Sequence, residues 1–374
     1  MKTNKIYAAL AILGFITWSC TSQNDLSNGS LKSSINSNAL TLTTAVNTIT
    51  SSAGYQVLAS TGSVASSSPS LVKAMGGMPI DTTTVAYSLA NVAGIWDYTA
   101  SMHTKRFQPI SNFFTNTGTS TDLILKMPES KVKNHMSLFV YRPVDTTLVN
   151  NYVIDVSRYN RNYKQFRPGR WYWNYDLASN ISISSVSAGN LTIQSSNQSA
   201  TGYNFASSFA FADGFVANTT YTSGDTIVSS YNISKNNITL YEEKYTAAKT
   251  SSTSKFREKE YSLTIGNVKI VRTSGPNSLD SAKVYLGGVL QVNAKIKVID
   301  QTNSSDNDST EVTMNNNKRD IQITFDDGTV TTISQLLTDN TLTNIRSLFN
   351  TIRQAYFATD IVDNVANYIY KSKH

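Results

Sequence analysis

The segment Arg158–Asp176 has the most distinctive chemistry in the chain, because basic and aromatic residues alternate along it. The basic residues occupy every third position from 158 to 170, with no acidic residue among them. Guanidinium and ammonium groups bind phosphate, sulfate or carboxylate, and the rings between them offer stacking surfaces. We therefore predict that this segment binds a ligand.

Three aromatic residues, Trp171, Trp173 and Tyr175, alternate with polar ones and would share one face of a β-strand. Such a platform can stack on sugar rings. The alternative is that these rings belong to the core of a sheet and that arginine stems cover its edge. The candidate ligand-binding residues are Arg158, Arg161, Arg167, Arg170, Trp171, Trp173 and Tyr175.

Catalytic and metal-binding motifs are absent from the sequence. The three histidines, His103, His135 and His374, lie far apart, and no HExxH, GxSxG, phosphate-binding glycine loop or CxxC pair occurs. The oxygen-rich loop Asp300–Glu311 has the length of a calcium loop but carries Ser305 where the EF-hand needs glycine. We predict no catalytic residue, no metal site and no cofactor.

The middle of the chain is predicted to be a β-meander, because short turns recur between segments with matching apolar flanks. The turns are Gly266-Asn267, Gly287-Gly288, Asp213-Gly214, Gly189-Asn190, Asn236-Asn237 and Asp327-Gly328. If each loop has two residues, the pairs across them are, in the same order, Ile265–Val268, Tyr285–Leu290, Phe211–Val216, Val186–Ile193, Ile233–Leu240 and Phe325–Val330. Alternation over 290–298 predicts a strand with one wet face.

Helices are predicted at both ends of this meander. The N-terminal stripe begins after a cap at Ser37 or Asn38 and consists of Leu42, Val46, Ile49, Ala53 and Val57. The C-terminal stripe begins after Asp339 or Asn340 and consists of Leu342, Ile345, Phe349, Ile352 and Tyr356, and Ile361, Val365 and Tyr368 follow as a second stretch. Lys371 and Lys373 suit a helix C-terminus.

These elements predict an α+β fold that is mainly antiparallel β. We expect a long hairpin meander forming a strongly curved sheet or half-open barrel, with an N-terminal helix and C-terminal helices packed on it. The predicted organisation is a signal peptide at 1–19, a flexible tether at 20–37 and a single β-rich domain at 38–374.

The N-terminus carries a targeting signal: Lys2 and Lys5 precede an apolar run, 6–18, which is too short to span a bilayer. Ser19 and Cys20, the chain's only cysteine, follow. This arrangement resembles the signal of bacterial lipoproteins. The resemblance implies cleavage before Cys20, a diacylglycerol thioether and an N-acyl chain such as palmitate on that residue, and attachment to the cell envelope, most simply the outer membrane.

The composition limits the classes of partner. Of the 32 basic residues in the 374-residue chain, two are the lysines of the signal, so 30 basic and 25 acidic residues lie beyond it. The net charge is therefore mildly positive, and we expect no nucleic-acid partner. We predict a non-catalytic binding or scaffold protein for glycan or anionic envelope material, anionic lipid included. One alternative is a carrier that holds an apolar ligand between sheet and helices. Another is an envelope hydrolase, which would require acids such as Glu242, Glu243, Glu258 and Glu260 to converge.

Overall fold

The computed structural model describes residues 28–60, 85–99, 108–130, 139–140, 149–167, 170–198, 202–249, 257–275, 281–301 and 318–373. The predicted signal peptide, Cys20, the three histidines and most of the loop after Asp300 lie outside these described residues.

The described residues form four α-helices, one 3-10 helix and twenty strands. The helices are α1 (Asn28–Ser51), α2 (Ala53–Ser60), α3 (Leu89–Val92), the 3-10 helix Ile110–Phe113 and α4 (Ile333–Lys373). Strands β1 to β20 are, in chain order, Val85–Ser88, Gly94–Tyr98, Gln108–Pro109, Phe114–Gly118, Leu123–Met127, Phe139–Val140, Tyr152–Arg167, Arg170–Ile183, Val186–Gln198, Gly202–Ala210, Phe215–Thr222, Thr226–Lys235, Ile238–Lys249, Arg257–Ile265, Val268–Ser274, Ser281–Leu286, Val289–Leu290, Lys295–Gln301, Lys318–Thr324 and Val330–Thr332.

Within the described residues, fifteen strands form one sheet in the order β17-β16-β15-β14-β13-β12-β11-β10-β9-β8-β7-β5-β2-β4, and β1 pairs with the far half of β7. From β7 to β17 each strand pairs antiparallel with the next one along the chain, whereas β2 and β5 run parallel. The end strands β17 and β4 do not pair, so the sheet is open. The predicted α+β fold, an antiparallel meander with terminal helices, is confirmed.

Helices α1, α2 and α4 cover one face of the sheet, which we call the helix-covered face; the opposite one is the open face. Helix α1 lies over β13, β14 and β15 and beside α4, and α2 lies over β9. Along the strands every second side chain points under the helices, as Leu177 of β8 and Phe209 of β10 do, and both are fully buried. Each such side chain contributes about 1.5 to 3 kcal/mol, which makes this layer the core.

Helix α1 begins earlier than predicted. It starts at Asn28, so residues 28–37 of the predicted tether are helical, and the expected cap at Ser37 or Asn38 lies inside the helix. The reason is that Leu31 and Ile35 extend the apolar stripe toward the N-terminus and are fully buried. Because Ser, Thr and Asn dominate α1, its stability comes from packing rather than from helix propensity.

The predicted N-terminal stripe ends at Ile49, because a break at Ser52 separates α1 from α2. The new helix buries Tyr55 and Leu58 instead of Ala53 and Val57. Gly54 accounts for the close approach of α2 to β9: a Cβ there would lie 2.7 Å from the Ala188 carbonyl oxygen.

The C-terminal stretches form α4, one long helix interrupted at Thr338, where φ is 54° and ψ is 152°. The Thr338 Oγ1 accepts a hydrogen bond from the Thr341 amide at 3.4 Å, so it takes the capping position predicted for Asp339 or Asn340. Of the predicted stripe, Ile345 and Ile352 are buried. The second predicted stretch continues the same helix, and Lys371 and Lys373 lie in its last turn as expected.

Three of the six predicted turns occur at the expected residues and have two-residue loops. The pairs Ile265–Val268 and Tyr285–Leu290 are confirmed. Asn236 and Asn237 both have positive φ, at 50° and 66°, as a two-residue hairpin loop requires. A bulge beside this turn then shifts the pairing by one residue, so that Ile233 faces Tyr241 rather than Leu240.

Both Asp-Gly turns have three-residue loops, and the predicted pairs are wrong by one residue. The amide of Phe211 donates to the carbonyl oxygen of Phe215 at 2.9 Å. The amide of Phe325 donates to the carbonyl oxygen of Thr329, also at 2.9 Å. Gly214 has φ of 82° and supplies the left-handed residue that closes such a loop.

Gly189-Asn190 is not a turn, because the chain reverses at Ser184 and Ser185 instead, whose φ values are 50° and 66°. Gly189 lies inside β9, where a Cβ would come within 2.6 Å of the Phe209 ring. The predicted strand 290–298 is also divided: β17 ends at Leu290, and Gln291 is buried before β18 begins.

Candidate binding site

The β7–β8 hairpin carries the basic and aromatic segment, and a bulge decides which arginine faces which side. The register of β7 against β8 shifts between Val156 and Arg158, so Ser157 is the extra residue. Before the bulge, Ile154 and Val156 are buried; after it, Tyr159 and Arg161 are buried. The bulge therefore turns Arg158 onto the open face, where strict alternation would have buried it.

Arg161 lies in the core, under α4. Its Nη1 lies 3.4 Å from Oδ2 of Asp363, and the Tyr159 hydroxyl donates to the other oxygen of that carboxylate at 2.9 Å. Tyr175 packs edge to face against Tyr159, with ring centroids 6.1 Å apart. Arg161 is only 7% exposed and Tyr175 only 9%, so both belong to the contact between sheet and helix.

Burial governs the protonation of this cluster. It raises the pKa of Tyr159 and of Tyr175 well above the ordinary value, and the charge on Asp363 adds to the shift. Burial also raises the pKa of Asp363, which the facing Arg161 opposes. One turn earlier on α4, burial and then Asp363 raise the pKa of Asp360 to about 6. The contacts among Tyr159, Arg161 and Asp363 hold α4 on the sheet.

The other predicted site residues divide into two groups. The side chains of Arg167, Arg170, Trp171 and Trp173 lie outside the described residues, although their backbones belong to β7 and β8. Arg158, by contrast, lies on the open face with a half-exposed side chain, and its Nε is 2.8 Å from Oδ2 of Asp176.

A groove of about 480 Å³ crosses the open face from β7 to β13, and Arg158 lines it. Two rows of side chains, aligned by the strand register, form its floor. Row 1 consists of Arg158, Thr192, Ser208, Asn218, Asn232 and Glu242. Row 2 consists of Gln194, Ala206, Thr220, Ser230 and Lys244. Seven adjacent strands about 4.8 Å apart span about 29 Å, so the groove is long and shallow.

Hydroxyl and amide groups dominate the groove, and its few charges balance. Ser230 Oγ donates to Oε1 of Glu242 at 3.2 Å, and Lys244 lies two residues farther along the same strand face as Glu242. At the other end Arg158 is paired with Asp176. The groove can therefore donate and accept many hydrogen bonds without presenting a strong field of either sign.

A second depression of about 300 Å³ lies on the same face, over β14 to β17. Its lining is formed by Glu260, Lys269, Val271, Tyr285 and Gly288. On the helix-covered face, three tyrosines of the described residues remain more than a third exposed: Tyr231, Tyr245 and Tyr261. The ring centroid of Tyr231 lies 5.4 Å from that of Phe349 on α4.

Acidic residues do not converge in the way an envelope hydrolase would require. The register places Glu242 opposite Thr264, Glu260 opposite Thr246 and Glu258 opposite Ala248, so Glu260 and Glu258 lie four and six residues from Glu242 along β13. Glu243, one residue from Glu242, points to the other face. Within the part of the chain that the structure describes, no group of three or more His, Cys, Asp or Glu residues is placed to hold a metal ion.

Comparisons with known proteins add no assignment. No family model, no curated protein sequence and no solved structure matches this chain. Among the described residues, no helix is both long enough and apolar enough to cross a membrane.

Sequence reasoning missed the groove, although its signal is present. In β9 to β13 most residues between the buried apolar ones are Ser, Thr, Asn or Gln, although Ala, Val, Glu and Lys also occur there. Period-two alternation shows that such positions share one face. It does not show that five such strands lie side by side in a register that aligns their polar residues.

Proposed function

We propose that this protein is a lipid-anchored, non-catalytic protein of the bacterial cell envelope that binds glycan in the groove of its open face. The observation that supports the proposal best is the alignment of polar side chains from strands β7 to β13 along one groove. Sugars present hydroxyl groups at short intervals, and side-chain amides, hydroxyls and charged groups bind them by paired hydrogen bonds.

The balance of charge favours an uncharged glycan over an anionic lipid. Arg158 is neutralised by Asp176, and Lys244 lies close to Glu242. A surface that recognises lipid phosphates needs unpaired cations, because its attraction is largely Coulombic. Binding in this groove should therefore change little between low and physiological salt, whereas binding to anionic vesicles would weaken.

The carrier hypothesis receives less support. Neither depression described above lies between sheet and helices, and the side chains that meet there, such as Leu42, Ile154 and Leu348, are fully buried against one another. An apolar ligand would have to displace that packing.

The test of glycan binding is a titration with a panel of soluble uncharged polysaccharides: β-1,4-glucan, β-1,3-glucan, mannan and dextran. Asn218→Ala removes an amide from the middle of row 1 and should weaken binding about tenfold, with an unchanged melting temperature. The matched control is Asn36→Ala on the exposed side of α1, which should bind normally. No binding to any member of the panel, or equal binding by both variants, would contradict the proposal.

The anchor is tested separately. Cys20→Ala should move the protein from the membrane pellet to the soluble fraction, because acyl chains on that residue would be its strong apolar attachment. Thr21→Ala, which keeps the acceptor, should remain in the pellet. A Cys20→Ala protein that stays in the pellet after a high-salt wash would refute the lipoprotein assignment.

A further inference from the structure

The second depression continues row 1 of the groove. From Glu242 the register leads to Thr264 on β14, to Lys269 on β15 and to Tyr285 on β16, each directly opposite the one before. Three strand steps of about 4.8 Å place Tyr285 about 14 Å beyond Glu242. The register therefore places the two depressions along one continuous row across the open face.

The far section differs chemically from the groove. Tyr285 supplies an aromatic ring, which offers a flat apolar surface to the C–H face of a sugar. Lys269 and Glu260 beside it supply charged hydrogen-bonding groups for hydroxyls. Gly288, which lines the same depression, borders open space, since a Cβ at that position would meet no atom within 4 Å.

We infer that the ligand is an extended, uncharged glycan that lies across the strands from Arg158 to Tyr285, with Tyr285 as a terminal stacking platform. This inference rests on the proposed function and specifies its ligand class. The path covers nine strand steps, about 43 Å. Its polar groups recur on every strand except β8, where Ala178 takes the position, and the strand spacing is similar to the length of one pyranose unit in an extended chain. A β-1,4-linked chain can follow such a continuous row, whereas a coiling α-linked chain leaves it after a few units.

The experiment titrates the full-length protein with β-1,4-linked gluco- and manno-oligosaccharides of increasing length by calorimetry. Affinity should rise with length until the chain reaches Tyr285. Tyr285→Ala should then weaken the longest oligosaccharides by about three- to tenfold and leave the shortest ones unaffected. Tyr245→Ala is the matched control, because it removes a tyrosine from the same sheet on the opposite face.

Four results would each overturn the inference: affinity that does not depend on length, a Tyr285→Ala protein that binds long chains normally, an equal loss in Tyr245→Ala, or binding of dextran alone. These failures are distinct from failure of the proposed function. If only the inference fails, short chains still bind and Asn218→Ala still weakens their binding. If the proposed function fails, no polysaccharide of the panel binds at all.

Discussion

Arg158 and Arg161 lie three residues apart on β7 and have opposite surroundings. Arg161 is buried under α4 and faces Asp363, whereas half of the Arg158 side chain is exposed beside the groove. The one-residue bulge at Ser157 produces the difference, because it changes which positions of β7 point under the helices. The role of an arginine in this segment therefore depends on the face of the sheet on which its side chain lies, and not on residue type alone.

The same contrast holds for the two faces of the whole sheet. The helix-covered face carries Leu, Ile, Val and Phe side chains that stabilise the fold, and the open face carries Ser, Thr, Asn and Gln side chains that remain half exposed. Substitutions on the first should change the free energy of unfolding, and substitutions on the second should change binding.

The largest effect is expected from Arg161→Gln. It leaves Asp363, whose side chain is only 22% exposed, without its cation, which costs up to about 3 to 5 kcal/mol of unfolding free energy. Denaturant unfolding at pH 8 measures the loss, and the loss should shrink as pH falls, because burial raises the pKa of Asp363 and protonation removes its charge. A variant as stable as the wild type would place Arg161 outside the core and remove the contrast between the two arginines.

Leu42→Ala comes next, because it empties a fully buried position between α1 and the sheet. We expect a loss of about 2 to 5 kcal/mol. Thr44→Ala, two residues along on the exposed side of α1, should change the unfolding free energy by less than about 0.5 kcal/mol. Equal effects of the two changes would mean that α1 is not packed on the sheet through its apolar stripe.

The raised pKa of Asp360 makes the stability of the fold depend on pH. Its pKa is about 6 in the folded protein and about 3.9 in an unfolded chain, so the folded state binds more protons between these values. The contribution of Asp360 to stability therefore falls as pH rises from about 4 to 6 and changes little above that. Asp360→Asn should flatten this slope and be about 1 to 2 kcal/mol more stable than the wild type at pH 7. Asp339→Asn, at an exposed position, should keep the slope.

The smallest change in stability is expected for Arg158→Gln. Its pair with Asp176 is solvent-exposed, so the loss should stay below about 1 kcal/mol. Binding of the polysaccharide should weaken several-fold, because the groove loses a charged donor. Unchanged binding together with a large loss of stability would reverse the roles of the two arginines.

Much of the fold follows from the sequence, because turns and alternation are local signals. The glycines of Gly266-Asn267 and Gly287-Gly288 mark true hairpins, and β-branched alternation identifies the strands beside them. Gly189 misled the prediction because a glycine in a strand can serve close packing, here against Phe209, as well as a turn.

The site was harder to predict, since it depends on the register between strands. The bulge at Ser157 has no sequence signature that distinguishes it from an ordinary strand position. Without it, Arg158 and Arg161 cannot be assigned to faces. Row 1 needs six correct registers in succession, and a slip of one residue in any strand would send its polar residues to the helix-covered face.

Protection of a single thiol on the floor of the groove tests the central claim most directly. The Cys20→Ala chain contains no cysteine, so Ser208→Cys in row 1 and Thr44→Cys on the exposed side of α1 each introduce a unique one. A saturating concentration of the bound polysaccharide should slow modification of the thiol at 208 by maleimide at least several-fold and leave the thiol at 44 unaffected. An unchanged rate at 208, or equal protection at both positions, would contradict binding on the open face.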